Sequence, residues 1–285
     1  TLNYKFVSDD MERLSELRND SEKLAGKVRW VAFKDHFFST IMIADDAFTA
    51  ANVETEIMPD RSEFIKKHSM EASVAFDPNG ARSTKFHTYY GPNQYRVLKS
   101  YDRDLDGDDK LRLQHIIPMG WSLFRWITTC VIIPVFNFLG KYISSYGLII
   151  FLLTIIIKLV ILPFTFKSYM SSAKMRVLRP QIDEINARIP AEKAMERQQA
   201  TMNLYQKAGV SPMSGCLPML FQMPILFAMF SFFPTAFELR GQSFLWADDL
   251  SSYDAILSWD VYIPLITPYF GNHISLFCLL MTVTN

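Results

Sequence analysis

The sequence has 285 residues, with 29 Lys and Arg, 29 Asp and Glu, and a formal net charge of zero. This length accommodates about two domains, and the balanced charge argues against a sequence-specific nucleic-acid-binding protein. Residues 1–115 are rich in charge, whereas residues 116–285 carry long apolar stretches. The sequence therefore predicts a soluble part followed by a membrane part.

Metal, disulfide and nucleotide chemistry find little support in the sequence. The three cysteines form no CxxC pair, and the five histidines lack metal-ligand spacing. No GxxxxGK[ST] motif occurs. We therefore expect no metal, no cofactor and no catalytic centre. The chain begins at "TLNYKF" without a signal-peptide pattern and stops inside the apolar "ISLFCLLMTVTN", so we expect it to be part of a longer protein.

Residues 1–115 are predicted to form a β-sandwich-like domain, of which this is the C-terminal part. "KVRWVAFKDHFFSTIMIA" (27–44) is β-branched and aromatic, which favours one or two strands. "DPNG" (77–80) predicts the turn of a hairpin between "ASVAF" and "STKFHTYYG". "GPNQYRVLKSYDRDL" (91–105) is typical of a turn, a short helix and an exit loop.

Residues 116–140 are predicted to form an amphipathic helix in the membrane interface. Two tryptophans and Arg125 lie near its start, and Pro134 follows. Aromatic and basic residues at one end suit a helix that lies along the interface. A full membrane span is the alternative.

Three later segments are predicted to be transmembrane helices. The first covers 146–167 and contains a run of 20 residues, 147–166, with one charge. At about 1.5 Å per residue this run covers roughly the 30 Å of the hydrocarbon core. The second covers 216–237 without a charge, and the third, truncated, covers 261–285 and is interrupted by "PYFGNH".

The charges of the connections predict the orientation. Residues 167–215 hold eight Lys and Arg, whereas 238–260 hold Arg240 against five acidic residues. Basic loops remain in the cytoplasm. The 168–215 segment is therefore predicted to be cytoplasmic, and residues 1–115 and the 238–260 loop are predicted to lie on the opposite, exported side.

The cytoplasmic segment is predicted to be an antiparallel helical hairpin. Its first helix has apolar residues at alternating spacings of three and four, which form an a/d seam. Pro190 ends this helix, and a second seam follows. The charged outer face is either solvated surface or a docking surface for a ribosome or another protein. The two seams consist of Met175, Leu178, Ile182, Ile185 and Ile189, and of Met195, Met202 and Tyr205.

Lys158 is the main candidate functional residue. It lies about nine residues, or roughly 14 Å, from the cytoplasmic end of its span, too deep for its stem to reach full hydration. A lysine facing lipid there costs about 2.5–3.5 kcal/mol, so a polar cavity is favoured. Thr154 shares its helical face, and Gln222 lies in the next span. These residues predict a groove open to the cytoplasm. The alternative is that Thr154 and Gln222 only form hydrogen bonds between neighbouring helices.

Several motifs carry a resemblance to a known family. "YGLIIFLLTIIIKLVILPFTFKSYMSSAKMRVLRPQI" (146–182), "LYQKAGVSPMSGCLPMLFQMPILFAMF" (204–230) and "ELRGQSFLWADDLSSYD" (238–254) resemble, in order and spacing, the YidC/Oxa/Alb membrane-protein insertases. "RWVAFKDHFF" and "YYGPNQYRVLKSYD" more weakly resemble the periplasmic domain of Gram-negative YidC proteins.

This resemblance implies an insertase that is not an enzyme and moves nascent membrane proteins into the lipid bilayer, alone or with the SecYEG translocon and the ribosome. It also implies a multi-pass protein of a bacterial inner membrane, with residues 1–115 and the 238–260 loop in the periplasm. It implies a hydrophilic groove in which Lys158, in place of the family's arginine, holds acidic substrate tails beside Thr154 and Gln222. Two alternatives are a secondary transporter, which predicts an inverted repeat that the visible spans lack, and a membrane-anchored periplasmic scaffold. The apolar part of a substrate is expected to slide along Met219, Met223, Phe227, Met229 and Phe230.

Overall fold

The computed structural model describes residues 1–59, 62–81, 83–190, 193–210, 217–264 and 267–284. The chain divides into two compact units. One contains Thr1–Pro118 together with Phe232–Asn285, and the other contains Met119–Ser231. The first is mainly β-structure and the second is helical, which confirms the predicted β domain followed by a helical part.

The β domain contains two antiparallel sheets. One has five strands in the order β2-β1-β4-β5-β8, and the other has three in the order β3-β6-β7. Residues 27–44, predicted to hold one or two strands, contribute two. The strands are β1 Leu2–Phe6, β2 Met11–Arg13, β3 Asp20–Leu24, β4 Val28–Lys34, β5 Phe38–Phe48, β6 Ala50–Ile57, β7 Lys66–Ser73 and β8 Phe86–Pro92.

The sandwich core lies between these sheets. Leu2, Tyr4 and Val31 of the five-stranded sheet pack with Leu24 and Val53 of the three-stranded sheet. Side chains alternate inward and outward, as period-two strands require, so the opposite face of the larger sheet also needs cover. The segment after β8, which contains helix α1 (Tyr95–Ser100), buries Leu98, Leu111 and Leu113.

The hairpin predicted around residues 77–80 is wrong. The turn itself forms, with Gly80 at a φ of 70° and its N–H donating to the Asp77 carbonyl. The flanking strands do not pair, because β7 belongs to the smaller sheet and β8 pairs with β5. The turn chemistry was recognised correctly, but burial of the two sheet faces selects the strand partners.

Two helical segments of the second unit are apolar and long enough to cross a membrane, as judged from length and composition among the described residues: Ser122–Leu139 and Tyr146–Val177. The first comprises α2 (Ser122–Ile127), a π-helical turn (Thr128–Ile132) and α3 (Ile133–Leu139). The second is one continuous 32-residue helix, α4. It continues ten residues beyond 167, into the segment that was predicted to form the hairpin.

Within the described residues, the later apolar segments are helical over shorter stretches than the predicted spans. Helix α7 covers Leu217–Phe232, 16 residues or about 24 Å, and turns of 3₁₀ helix follow around Pro234. Cys216, in the predicted second span, lies outside the described residues. The predicted third span contains two short helices, α8 (Thr267–Phe270) and α9 (Leu276–Thr284).

A small hairpin precedes α9. Strands β9 (Leu257–Ser258) and β10 (His273–Ile274) pair with one another. The interruption predicted at "PYFGNH" is therefore present, and the longer helix of this segment, α9, begins after it. Pro264, Pro268 and Gly271 disfavour a continuous helix through this region.

The predicted helical hairpin forms from α5 (Arg179–Arg188) and α6 (Ala194–Lys207). All five residues of the first predicted seam, from Met175 to Ile189, are half-buried. The second seam is partly wrong, because Met195 is 85% exposed and Met202 is 38% exposed. The half-buried face of α6 instead contains Arg197, Ala200, Thr201, Leu204, Tyr205 and Ala208.

Arg197 explains why this face of α6, and not the predicted seam, is half-buried. Its Nη2 donates to the carbonyl oxygens of Asn186, at 2.5 Å, and Ile189, at 2.9 Å. These are carbonyls at the end of α5, where no intrahelical donor remains. A charged donor at that end also interacts favourably with the helix dipole.

We expect Arg197→Ala to lower the opening free energy of α5 amides by about 1.5–3 kcal/mol, the usual contribution of charged hydrogen bonds. Hydrogen exchange of residues 179–188 in the full chain measures this change. Arg188→Ala, which removes an exposed charge from α5 itself, is the matched control and should change the value by less than about 0.5 kcal/mol. Equal effects of the two variants would show that Arg197 does not cap α5.

Candidate functional site

Lys158 and Gln222 form a polar pair between two apolar helices. Lys158 lies midway along α4, and Gln222 lies one and a half turns into α7. The Lys158 Nζ donates to the Gln222 Oε1 across 3.4 Å, a long hydrogen bond. The sequence predicted both residues for one groove, and the structure brings them together.

Thr154 is not bonded to this pair. Its hydroxyl donates to the Ile150 carbonyl of its own helix at 2.9 Å. This bond occupies the hydroxyl hydrogen, so the Thr154 oxygen remains available only as an acceptor. Spaced four residues apart, Thr154 and Lys158 share a face of α4. That face offers a cationic donor and an acceptor one turn apart.

The predicted sliding surface has a mixed environment. Met219 and Phe230 are 62% and 66% exposed, whereas Met223 and Met229 are half-buried. The Phe227 ring packs against Phe124 of α2, with centroids 5.6 Å apart. The five residues therefore do not form one free stripe, and their role as a substrate surface stays a prediction.

An apolar groove lies between α4, α7 and the helical segment 122–139. Its volume is 580 Å³, and its lining includes Leu123, Trp126, Val131, Ile156, Val160 and Leu220. We call this feature the apolar groove. Its walls come from three separate segments of the chain, so no local pattern in the sequence indicates this groove.

The 238–260 connection is organised by two aspartates. Asp249 accepts hydrogen bonds from the backbone N–H groups of Gly241 and Ser251. The hydrogen bond from Ser251 is the main cause that lowers the pKa of the Asp249 carboxyl. In the sequence, the acidic residues of this loop indicated only its orientation. The structure shows that the two aspartates also stabilise the fold of the loop through hydrogen bonds.

Asp254 joins this loop to the start of α9. It is buried and accepts hydrogen bonds from the Trp246 indole, the Ser275 hydroxyl and the backbone N–H groups of Leu276 and Phe277. Burial raises the pKa of Asp254, but the hydrogen bonds outweigh it and the pKa lies below 3.8. Asp254 therefore fixes the loop to the helix while it remains ionised.

We expect Asp254→Ala to lower the local free energy of unfolding of 241–258 and 273–277 by about 1.5–3 kcal/mol, because it removes a charged acceptor from several donors. Hydrogen exchange of the full chain measures this, with the exposed Asp248→Ala as control. The folded-state pKa is depressed, so the stabilisation is complete above 3.8 and is lost as pH falls through the folded-state value. Loop protection unchanged in Asp254→Ala would contradict this role.

The β domain also contacts the beginning of this connection. Gln94 donates to the Glu238 carboxylate at 2.9 Å, and the rings of Phe38 and Phe237 meet edge-on at 5.5 Å. The Arg240 guanidinium lies over the Phe38 ring, 5.0 Å from its centroid. The partners Gln94 and Glu238 are 144 residues apart in sequence, so no local pattern predicts this contact.

Comparison with known families agrees with both parts of the architecture. Residues 138–285 match the family model described as 60Kd inner membrane protein, and residues 2–133 match the model described as YidC periplasmic domain. The chain belongs to the YidC family. The family resemblance expected from the motifs at 146–254 is thereby confirmed, and the first match places the helical part in an inner-membrane family.

Curated relatives of the YidC family cover the whole chain. The membrane protein insertase YidC of Parabacteroides distasonis is 56% identical over 286 residues, which is 100% of this chain and 45% of the relative. Those of Porphyromonas gingivalis and Phocaeicola vulgatus are 46% and 45% identical, covering 99% and 100% of this chain and 46% and 45% of the relatives. The chain thus spans less than half the length of these relatives.

Proposed function

We propose that this chain is part of a membrane-protein insertase, which moves nascent membrane proteins from the cytoplasm into the lipid bilayer. The observation that carries the proposal is the polar pair of Lys158 and Gln222 between two apolar helices. A charge within a spanning helix is costly, and such residues mark substrate pathways. The names of the relatives support the same activity.

In this proposal, Lys158 captures the acidic or polar tail of a substrate. The long 3.4 Å bond to Gln222 uses one of three ammonium hydrogens, so a tail carboxylate can bind without breaking it. Thr154 and Gln222 supply acceptors to the peptide groups of the tail. The substrate's apolar segment then moves along α7 into lipid, and its burial supplies the driving force.

The proposed membrane arrangement follows the charges. Helices α4 and α7 cross the bilayer, the α5–α6 hairpin lies in the cytoplasm, and the β domain and the 238–260 connection lie in the periplasm. The helix over 122–139 lies along the interface. The SecYEG translocon and the ribosome are proposed partners, with the exposed basic face of the hairpin as the cytoplasmic contact.

Reconstitution of the full-length protein into liposomes tests this function. A substrate with one span and a short acidic tail should become protected from external protease without any nucleotide. The matched control is the same substrate with its span interrupted by charged residues, which should remain accessible. No protection above protein-free liposomes would overturn the proposal, and uptake of anionic solutes instead would favour the transporter alternative.

A further inference from the structure

We propose that the apolar groove binds one acyl chain of a membrane phospholipid. The volume of 580 Å³ lies within the range of about 300–1,000 Å³ that is usual for ligand sites. The side chains that line it are hydrocarbon throughout, apart from the indole N–H of Trp126. A saturated hydrocarbon chain needs no polar partner, so it fits this lining, whereas a polar ligand would lose hydrogen bonds there.

The position of the groove on the helices indicates that it opens to lipid. Ile156 and Val160 each lie two positions from Lys158 along α4, about 200° round the helix. Charged side chains of spanning helices face the protein interior or a water-filled cavity. The opposite side of α4 therefore faces lipid, a step that rests on the membrane placement in the proposed function.

Helix α7 forms a second wall of the groove. Leu220 and Pro224 lie two positions from Gln222, about 200° round the helix, whereas Ile225, which also lines the groove, lies about 60° from Gln222. The lining is also accessible, since Val160 is 66% exposed and Leu220 is 60% exposed. Helix α4 thus directs Lys158 to one side and an open hydrocarbon surface to the other, and α7 adds apolar side chains to that surface.

The helical segment 122–139 forms the third wall of the groove and indicates how the lipid is oriented. The π-helical turn Thr128–Ile132 contributes Val131 and Ile132, and π turns locally widen a helix and recur at functional sites. Trp126 is 60% exposed. Indole rings prefer the headgroup level, where the N–H meets water or ester oxygens. We therefore assign the headgroup end of the lipid to Trp126.

Photolabelling tests the assignment. The full-length protein is placed in nanodiscs that contain a low fraction of a phospholipid with a diazirine on one acyl chain, and adducts are mapped by mass spectrometry. Adducts at Val131, Val160 and Leu220 should exceed those at Leu159, which is 60% exposed on α4 outside the groove. We expect a ratio of about ten, as for a site that binds lipid tenfold better than the general surface.

Two tryptophan variants provide the matched control. Val160→Trp fills the groove and should reduce labelling of Val131 and Leu220 about tenfold, whereas Leu159→Trp should leave it unchanged. Equal labelling of the groove residues and of Leu159 would overturn the proposal. The proposal would also fail if the groove residues remained unlabelled because another segment or a protein substrate covers them. Liposome insertion, measured in parallel, separates this result from the proposed function, since either can fail while the other holds.

Discussion

Replacing Lys158 with alanine is expected to slow the insertion of a substrate with an acidic exported tail by about tenfold or more. A hydrogen bond to a charged group contributes about 1.5–3 kcal/mol, and 1.4 kcal/mol corresponds to a factor of ten. Gln222 would lose the ammonium donor of Lys158 but keep its own amide group, so the helices should still pack. Insertion rates in liposomes that contain the full-length variant measure the effect.

Lys158→Arg and Lys158→Gln separate charge from shape. Arginine keeps a permanent charge and adds a bidentate fork that matches a carboxylate, so its insertion rate should equal or exceed that of the lysine protein. Glutamine keeps polarity without charge and should behave like alanine. A substrate with an uncharged tail should be little affected by any variant. Full activity of Lys158→Ala on the acidic tail would remove Lys158 from the mechanism.

Replacing Trp30 with alanine is expected to destabilise the β domain by about 3–5 kcal/mol, the usual loss for a fully buried tryptophan. Trp30 is 0% exposed, and its indole N–H donates to the Leu111 carbonyl at 2.7 Å. The substitution removes both the packing of the larger sheet's outer face and this bond across 81 residues of sequence. Hydrogen exchange of β4 and β5 amides in the full chain measures the loss.

Two controls define the contribution of Trp30. Trp30→Phe keeps much of the ring but leaves the Leu111 carbonyl without its donor, which should cost about 1–3 kcal/mol. Trp121→Ala removes a tryptophan that is 83% exposed and should leave β-domain exchange within about 0.5 kcal/mol. A loss below about 1 kcal/mol in Trp30→Ala would show that this contact does not stabilise the domain.

Local patterns in the sequence predicted the elements that depend on local physics. The β-branched run at 27–44 became two strands, and the a/d spacing from Met175 to Ile189 became the half-buried face of the hairpin. The prediction that Met195 and Met202 belong to the second seam was wrong, because the guanidinium of Arg197 on the same helix hydrogen-bonds to the end of α5. A single contact of this kind outweighs a weak apolar pattern.

Features that join distant segments could not be predicted in the same way. The turn at 77–80 formed, but its strands joined different sheets. Asp254 reaches Ser275, 21 residues on, and its role is not visible in local spacing. For the candidate site, Lys158 and Gln222 were named from polarity alone, while their contact across 64 residues required the structure.

A zero-length chemical crosslink tests the capture of substrate by Lys158 most directly. Carbodiimide joins a carboxylate only to an amine that it touches, so an acidic tail arrested during insertion should couple to the Lys158 Nζ. The adduct should disappear in Lys158→Arg, whose guanidinium does not couple, although insertion continues. The contradicting result is an arrested tail that couples to Lys167 or Lys174 while Lys158 remains unmodified.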